Sequence, residues 1–339
     1  DAGRDRYTAW AGLPALQDAV AEYLARTRNL QVSPASVVVG PGCKPMLNLA
    51  MQALVDARDE ILCPQPSFPI YPSLTRALGG TPVMFSLREE NRFQPDPAEI
   101  AAKITPRTKL LILNSPNNPT GTVLTEEVRQ AIVALALRHD LLVISDEIYA
   151  RIIYGGESVS LASYPGMQDR TVIVDWFSKS FAMTGWRLGY LVVPDWMRQA
   201  MNLLIVNSHT SVCEFTQWAA IEALRDSSNA CAHMVETFAA RRERFLTRLA
   251  GIPGFRTAKP DGAFYAWVNV AETGLPAEEV SRLMLEEAGV AGIAGAAFGE
   301  SGRDFIRFSF AAATEKLDEA VDRIVALSQH WSNLAIQRS

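Results

Sequence analysis

Short apolar runs of strand length alternate with helical patterns along the first two thirds of this 339-residue chain. The runs are rich in Leu, Val and Ile and lack period-two alternation; they cover residues 36–40, 60–63, 109–114, 141–145 and 171–174. Helical patterns cover residues 14–26, 45–55 and 126–138, with Thr125 as the predicted N-cap of the third. Uniformly apolar strands are typical of a parallel sheet covered on both faces. The sequence therefore predicts an α/β fold with a doubly wound sheet.

The pattern changes near Asp226. From there the sequence predicts a helix at 228–249, a strand at 263–268, a helix at 277–288, a strand at 305–310 and a final helix from Thr314. This order of elements is typical of an α+β unit. We therefore expect a large domain at residues 1–227 and a smaller C-terminal domain at residues 228–339.

Composition excludes several classes of protein. The chain has 32 Lys and Arg against 37 Asp and Glu, a net charge of −5, which disfavours bulk binding of nucleic acid or anionic membranes. The four cysteines include no C-x-x-C pair, so neither a zinc site nor a disulfide framework is predicted, and we expect a reducing cytoplasm. No apolar run approaches the length of a membrane span. Because the chain starts at Asp1 rather than Met, we expect that an N-terminal segment is missing.

Polar clusters follow three of the predicted strands, at the edge of the sheet where doubly wound folds bind ligands. They are Gly40-Pro-Gly-Cys-Lys-Pro45, Ser115-Pro-Asn-Asn-Pro-Thr-Gly121 and Asp146-Glu-Ile-Tyr149. Each has a simpler explanation when taken alone: a strand-to-helix turn, an Asn/Pro/Gly turn and a helix N-cap. A carboxylate at the end of an apolar strand, such as Asp146, is nevertheless costly to bury unless a cationic group pairs with it.

Lys179 lies in the most informative segment, which runs from Trp176 to Tyr190. Phe177, Phe181 and Met183 are expected to desolvate its amine, and desolvation lowers an ammonium pKa and makes the amine nucleophilic. Arg187, eight residues later, could hold an anion beside it. The alternative, a surface lysine with a buried stem, does not explain this ordered spacing.

Taken together, three motifs resemble the class I/II aminotransferases, a family of fold type I enzymes that depend on pyridoxal 5'-phosphate (PLP). They are N-N-P-T-G at 117–121, S-D-E-I-Y at 145–149 and S-K-x-x-x-M-x-G-W-R-x-G-Y at 178–190. The resemblance extends from Tyr7 to about Leu327 and is strongest for the aspartate-aminotransferase-like branch. It implies a large PLP-binding domain with a mostly parallel sheet, a smaller α+β domain, and transfer of an amino group from an L-amino acid to a 2-oxo acid by a ping-pong mechanism.

The resemblance also implies roles for individual residues. Lys179 would hold PLP as a Schiff base and act as general base and acid, and Asp146 would pair with the pyridinium N–H. Tyr149 and Asn118 would hydrogen-bond the phenolic oxygen of the ring. The residues implied around the phosphate are Gly42, Cys43, Lys44, Ser178 and Arg187. Phe68 would stack on the ring.

For substrates, the resemblance implies Arg307 and Asn118 as ligands of the amino acid, with Arg307 on its α-carboxylate. Lys44 matches a lysine that lies near the distal carboxylate of acidic donors; the alternative is that it contacts phosphate or solvent only. Tyr7 matches a tyrosine that reaches the phosphate of the neighbouring subunit, so a homodimer with shared active sites is expected. No nucleic-acid or membrane partner is expected.

The sequence departs from the family pattern at three points, and three other functions compete with that of an aminotransferase. Trp176 stands where the family commonly has a small hydroxyl residue that touches the phosphate, and Val212-Cys213 follow Thr210-Ser211 where the branch usually has Pro. We expect that the N-terminal arm, which normally covers the site in this family, is missing. A PLP-dependent β-lyase would use the same lysine, aspartate and arginine. A PLP-binding sensor domain of a transcription regulator would need a preceding helix-turn-helix, and a NAD dehydrogenase would need a dinucleotide fingerprint, which no strand carries.

Overall fold

A seven-stranded sheet forms the centre of the protein. The structure is a computed structural model that describes residues 3–329 and 331, apart from the side chains of residues 43 and 226–228. The strands are β1 (Val37–Gly40), β2 (Glu60–Gln65), β3 (Thr81–Ser86), β4 (Thr108–Asn114), β5 (Leu142–Asp146), β6 (Thr171–Trp176) and β7 (Gly189–Val192). Their spatial order is β1-β7-β6-β5-β4-β2-β3. Only β7 runs antiparallel to its neighbours, so the predicted, mostly parallel sheet is confirmed.

The register of this sheet brings the predicted polar clusters together. Asn114, the last residue of β4, pairs with Asp146, the last residue of β5, and Asp146 pairs with Val174 of β6. The loops that follow these three strands therefore leave the sheet side by side at one edge, as expected for a ligand site in a doubly wound fold.

Seven helices flank this sheet in chain order. They are α1 (Pro14–Arg28), α2 (Cys43–Leu54), α3 (Ile70–Ala77), α4 (Pro97–Ala102), α5 (Glu126–Arg138), α6 (Phe177–Ser180) and α7 (Arg198–Ser208). The bounds of α5 match the prediction, and the Oγ1 of Thr125 accepts a hydrogen bond from the Val128 N–H at 3.4 Å, as expected of an N-cap.

A smaller antiparallel sheet follows α8 (Glu214–Leu249) in the chain. Its strands are β8 (Arg256–Thr257), β9 (Tyr265–Asn269), β10 (Ile293–Ala294) and β11 (Phe305–Ser309), in the order β10-β11-β9-β8. Helices α9 (Ala277–Ala288) and α10 (Thr314–Ser328) complete this part, which has the predicted α+β character.

The predicted start of the long helix at 228 is wrong, because α8 begins at Glu214 and continues without a break through residue 227. The polar residues near Asp226 suggested a helix start, but Ala220, Ile221 and Leu224 bury the first half of α8 in the cluster that holds α1. This packing outweighs the local signal. No break in the backbone marks the boundary near 227, and the division into two domains stays a prediction.

Trp176 and Gly189 pack against each other where β6 pairs with β7. The two residues lie opposite each other in the antiparallel register, and the Trp176 ring is fully buried. A Cβ atom on Gly189 would lie 2.0 Å from Cε3 of Trp176. A residue larger than glycine therefore cannot fit here unless the indole moves.

Across residues 3–329, no helix is both long and apolar enough to cross a membrane.

Candidate active site

A pocket of about 480 Å³ lies at the edge of the large sheet where β4, β5 and β6 end, and the smaller sheet closes one side of it. Nine of its lining residues are predicted site residues: Lys44, Phe68, Asn118, Asp146, Tyr149, Ser178, Lys179, Arg187 and Arg307. The other five are Tyr71, Asn114, Ile148, Thr184 and Tyr265. The fold thus brings residues from the whole length of the chain to one cavity.

Asp146 is a buried carboxyl at the floor of this pocket. Its Oδ2 accepts a hydrogen bond of 2.7 Å from the Tyr71 hydroxyl, and its Oδ1 accepts one of 3.3 Å from the Ile148 N–H. Burial and the nearby acidic groups Asp175 and Glu147 raise the pKa of Asp146 and the two hydrogen bonds lower it, which leaves a net pKa of about 7. No ion pair joins Asp146 to a cationic side chain in the described part of the chain.

Lys179 lies on α6, directly after β6, and its side chain faces the same pocket. Its Nζ lies 5.5 Å from the centre of the Phe264 ring, which comes from the chain just before β9. The predicted apolar neighbours Phe177 and Phe181 instead pack in the core cluster around α1. An aromatic ring therefore does lie beside the amine, but the smaller sheet's segment supplies it.

Arg187 and the start of α2 form a cationic corner of the pocket. Gly42 is the N-cap of α2 at φ 95°, and a Cβ atom there would lie 2.6 Å from Nη2 of Arg187. Glycine thus satisfies both the left-handed backbone and the close approach of the guanidinium. Arg187 forms no ion pair with a described carboxylate; its Nη1 donates to the Thr184 carbonyl at 3.0 Å. Together with the free N–H groups at the helix start, it can bind an anion.

Arg307 lies on β11 with its guanidinium between two aromatic rings. Its Cζ lies 4.4 Å from the centre of the Tyr265 ring and 4.7 Å from that of Phe298. Nη1 donates a hydrogen bond of 2.8 Å to Oδ1 of Asn118, while Nε is buried without a hydrogen-bond partner. Burial lowers the pKa of Arg307. A buried guanidinium with an unused N–H donor is suited to a carboxylate ligand.

Asn118, Asn114 and Asp146 connect the two sides of the pocket. The Asn118 N–H donates to Oδ1 of Asn114 at 2.8 Å, and Nδ2 of Asn114 donates to the carbonyl of Asp146 at 2.9 Å. Since Asn118 also accepts from Arg307, hydrogen bonds run continuously from the smaller sheet to the end of β5.

The ring of Phe68 lines the pocket and lies edge-on to Tyr71 at 6.0 Å. The exposed side chain of Lys44 places its Nζ 5.6 Å from the centre of the Phe68 ring. On the opposite side, the hydroxyls of Tyr149 and Tyr265 are 2.8 Å apart. Ser178 is half-buried and lines the pocket next to Lys179.

Comparison with known proteins agrees with this geometry. The family model described as aminotransferase class I and II matches residues 1–324. The chain belongs to this family. It is 40% identical over 328 residues to an aspartate aminotransferase of Pyrococcus abyssi, an alignment that covers 96% of this chain and 84% of that protein. It is 38% identical over 328 residues to an aromatic-amino-acid aminotransferase of Thermococcus litoralis, with the same coverage.

Solved structures give the same result. An aromatic aminotransferase from Pyrococcus horikoshii superposes with a TM-score of 0.94 at 38% identity, covering 97% of this chain and 89% of that one. An aspartate aminotransferase from Thermus thermophilus with maleate gives a TM-score of 0.90 at 36% identity, with 96% and 84% covered. The protein is therefore a PLP-dependent aminotransferase that acts on amino and oxo acids.

The pocket of this aminotransferase fits PLP in two respects. PLP carries a ring nitrogen that can bind a proton and a phosphate dianion. Asp146 is a buried acid without a cationic partner among the described residues, and Arg187 is a cation without an acidic one. The two groups lie in the same cavity as Lys179, so both ends of the cofactor have complementary charges.

Two residues singled out in the sequence, Tyr7 and Trp176, lie away from the pocket of the aminotransferase. Tyr7 is 88% exposed and lines a separate surface depression with Val212 and Cys213, so the single chain does not bring it to the pocket. Trp176 is buried in the core and is not among the residues lining the pocket. The side chain of Cys43 lies outside the described residues.

Sequence reasoning missed Tyr71, Asn114, Ile148, Thr184 and Tyr265 as lining residues. Two signals were available: Asn114 ends a predicted strand and Ile148 lies within a motif that was already singled out. Tyr265 gave no such signal, because its strand is apolar throughout and reads as core.

Proposed function

We propose that this aminotransferase binds PLP in the pocket through Lys179 and transfers the amino group of an L-amino acid to a 2-oxo acid there. The main support for placing the cofactor in this pocket is the environment of Asp146. Asp146 is a buried carboxyl that lines the cavity, and burial together with the nearby acids Asp175 and Glu147 raises its pKa. Such a group is unfavourable unless a ligand supplies the cation.

Residues from several loops would hold the cofactor. Asp146 would pair with its ring nitrogen, and Phe68 would pack on its ring. Tyr149 and Asn118 would hydrogen-bond its phenolic oxygen. Arg187 would bind the phosphate together with Gly42, Cys43, Lys44 and Ser178. When bound, PLP supplies an aldehyde that condenses with amines and a ring that takes up electrons from the substrate.

Lys179 has two tasks in this proposal. Its Nζ holds the cofactor covalently before substrate arrives. Once displaced, the same amine removes a proton from the substrate Cα and delivers a proton on return. The Phe264 ring lies 5.5 Å from this amine and shields one side of it from solvent.

Arg307 and Asn118 position the amino acid. The guanidinium binds the α-carboxylate through its fork of N–H donors, and the two flanking rings fix the plane of that fork. Asn118 already accepts a hydrogen bond from Arg307 and therefore sets its orientation. The substrate Cα is thereby held near Lys179.

Two measurements test this proposal. Borohydride reduction of the PLP-bound protein, followed by peptide mapping, should place the pyridoxyl label on Lys179; a label on another lysine contradicts the assignment. Addition of an amino donor alone should yield pyridoxamine phosphate in the denatured extract. A β-lyase would instead release a 2-oxo acid and ammonia and leave PLP unchanged, so this measurement separates the two activities.

We also propose acidic amino acids as donors. Lys44 reaches the same pocket as Arg307, so a donor held by its α-carboxylate at Arg307 can place a second carboxylate towards Lys44. Several relatives at 36–40% identity are named aspartate aminotransferases, while one is named for aromatic amino acids. A screen of donors against 2-oxoglutarate, pyruvate and oxaloacetate tests the preference.

We further propose a homodimer in which Tyr7 completes the phosphate site of the partner subunit. The hydroxyl and ring of Tyr7 are exposed in the single chain, and so are the large side chains of Leu203 and Phe215. Burial of this surface against a second copy would account for all three.

Free cysteines at positions 63, 213 and 231 support a cytoplasmic location.

A further inference from the structure

Tyr265 is a buried residue of β9 that contacts two groups with different proposed tasks. Its hydroxyl lies 2.8 Å from the hydroxyl of Tyr149, which is proposed to bind the cofactor. Its ring faces the guanidinium of Arg307 at 4.4 Å, which is proposed to bind the substrate. Tyr265 therefore links the cofactor side of the pocket to its substrate side.

We propose that Tyr265 is a positioning residue for both halves of the site: its hydroxyl directs the Tyr149 hydroxyl towards the cofactor, and its ring fixes the Arg307 guanidinium for the substrate carboxylate. This inference rests on the proposed function and adds to it a residue that no motif predicted.

The role of the Tyr265 hydroxyl follows from the number of hydrogen bonds that each tyrosine can donate. A tyrosine hydroxyl has one hydrogen to donate. If Tyr149 donates its hydrogen to the phenolic oxygen of PLP, its own oxygen must accept the hydrogen bond from Tyr265. Burial raises the pKa of both tyrosines, so both keep their hydrogens at neutral pH. A donor that itself accepts a hydrogen bond is polarised and becomes a stronger donor.

The charged groups near the two tyrosines also favour a hydrogen bond donated by Tyr265 to Tyr149. Arg307 is the cation that acts on both hydroxyls, and Asp146 is the acid that acts on Tyr149. Arg307 offsets part of the rise in the pKa of both hydroxyls, whereas Asp146 adds to the rise for Tyr149, so the pKa of Tyr265 is raised less and Tyr265 is the better donor of the pair.

The task of the ring follows from its partner. Arg307 lies between Tyr265 and Phe298, and its Nη1 is held by Asn118. A guanidinium between two aromatic faces is confined to one plane, so it loses little conformational freedom when it binds a carboxylate. Removal of one face should weaken carboxylate binding even though every hydrogen-bond donor of Arg307 is kept.

Two substitutions separate these tasks in the PLP-bound protein. Tyr265→Phe removes the hydroxyl and keeps the ring, whereas Tyr265→Leu removes both. Tyr154→Phe is the matched control, because the hydroxyl of this tyrosine donates to the Ala263 carbonyl in the same segment and does not line the pocket. The readouts are the pH titration of the visible absorbance of bound PLP and the dissociation constant of maleate, a carboxylate without an amino group.

We expect Tyr265→Phe to raise the pKa of the PLP absorbance change by about half to one pH unit, because a weaker hydrogen bond stabilises the phenolic anion less. Its maleate affinity should stay within about twofold of the wild type. Tyr265→Leu should show the same shift and weaken maleate about three- to thirtyfold. Tyr154→Phe should change neither quantity.

An unchanged absorbance pKa in Tyr265→Phe would overturn the role of the hydroxyl, and unchanged maleate binding in Tyr265→Leu would overturn that of the ring. If the Leu variant does not retain PLP, Tyr265→Met provides the ring test with an unbranched side chain. A wild-type protein that fails to bind PLP at this site would contradict the proposed function itself. With an intact wild type, the variants test Tyr265 alone.

Discussion

Tyr71 donates a hydrogen bond of 2.7 Å to Oδ2 of Asp146, shorter than the 3.3 Å bond that Oδ1 accepts from the Ile148 N–H. Tyr71 is fully buried and lies on α3, just after the segment that carries Phe68. The bond lowers the pKa of Asp146, but burial raises it more, so the net value is about 7. A cofactor-free protein therefore holds a carboxyl that ionises only near neutral pH.

This raised pKa predicts a pH-dependent stability for the cofactor-free protein. The unfolded carboxyl loses its proton near pH 4 and the folded one near pH 7, so this group destabilises the fold as pH rises between these values. From pH 5 to pH 7 its contribution should fall by about 2 kcal/mol. Asp146→Asn should remove that part of the slope. Urea unfolding of both proteins at the two pH values provides the measurement, and parallel slopes would contradict the prediction.

Arg307→Lys should impair donor binding even though it keeps the positive charge. A lysine has no planar fork and cannot occupy the space between Tyr265 and Phe298 in the same way. We expect kcat/KM for amino donors to fall about ten- to a hundredfold. Arg303→Lys is the control, since Arg303 is exposed and pairs with Glu300. Equal losses in the two variants would exclude a specific role for Arg307.

Lys44→Met should change donor preference rather than overall activity. If Lys44 binds a distal carboxylate, aspartate and glutamate should lose about ten- to a hundredfold in kcat/KM, and neutral donors of similar size much less. The measurement is kcat/KM for both classes with a common acceptor. A uniform loss would identify Lys44 as a cofactor contact only and leave the acidic preference without support.

Hybrid dimers test the role of Tyr7. Tyr7→Ala and Lys179→Ala chains should each have low activity, because one lacks a phosphate ligand and the other the reactive amine. When the two are unfolded, mixed equally and refolded, sites that combine intact residues from both chains should restore about a quarter of the wild-type activity. No recovery, or a fully active monomer in sedimentation, would contradict a shared site.

Gly189→Ala should destabilise the PLP-bound protein by about 1–3 kcal/mol, because the new methyl group would overlap the Trp176 ring. Gly185→Ala is the matched control four residues earlier, where no atom lies within 4 Å of an added Cβ. It should change stability by less than about 0.5 kcal/mol. Thermal unfolding of the two variants compares them directly; equal melting temperatures would mean that Trp176 moves aside at little cost.

The sequence predicted the parts of the fold whose signals are local. Strands β4, β5 and β6 are long apolar runs, and α5 and α9 have clear ends, so their positions follow from pattern alone. The edge strand β3 and the antiparallel β7 were missed. Thr81–Ser86 mixes half-buried and exposed positions, and Gly189–Val192 follows so closely on Arg187 that it was taken as part of a motif.

The site likewise contains residues that local sequence patterns predict and residues that they do not. Residues within motifs, such as Lys179, Asp146 and Asn118, were predicted and share the pocket. Phe264 and Tyr265 were predicted only as strand residues, because their contacts with Lys179 and Tyr149 depend on how the smaller sheet packs against the larger one. Such contacts join residues more than eighty positions apart, and no local pattern encodes them.

The order of the site along the chain has a consequence for how the protein is made. The groups proposed to face the cofactor, from Gly42 to Arg187, all precede α8, whereas Tyr265 and Arg307 follow it. During synthesis the ribosome therefore releases the cofactor ligands that line the chain's own pocket well before it releases the arginine that binds substrate. A nascent chain can acquire its cofactor at a stage when it has no means of holding an amino acid for reaction.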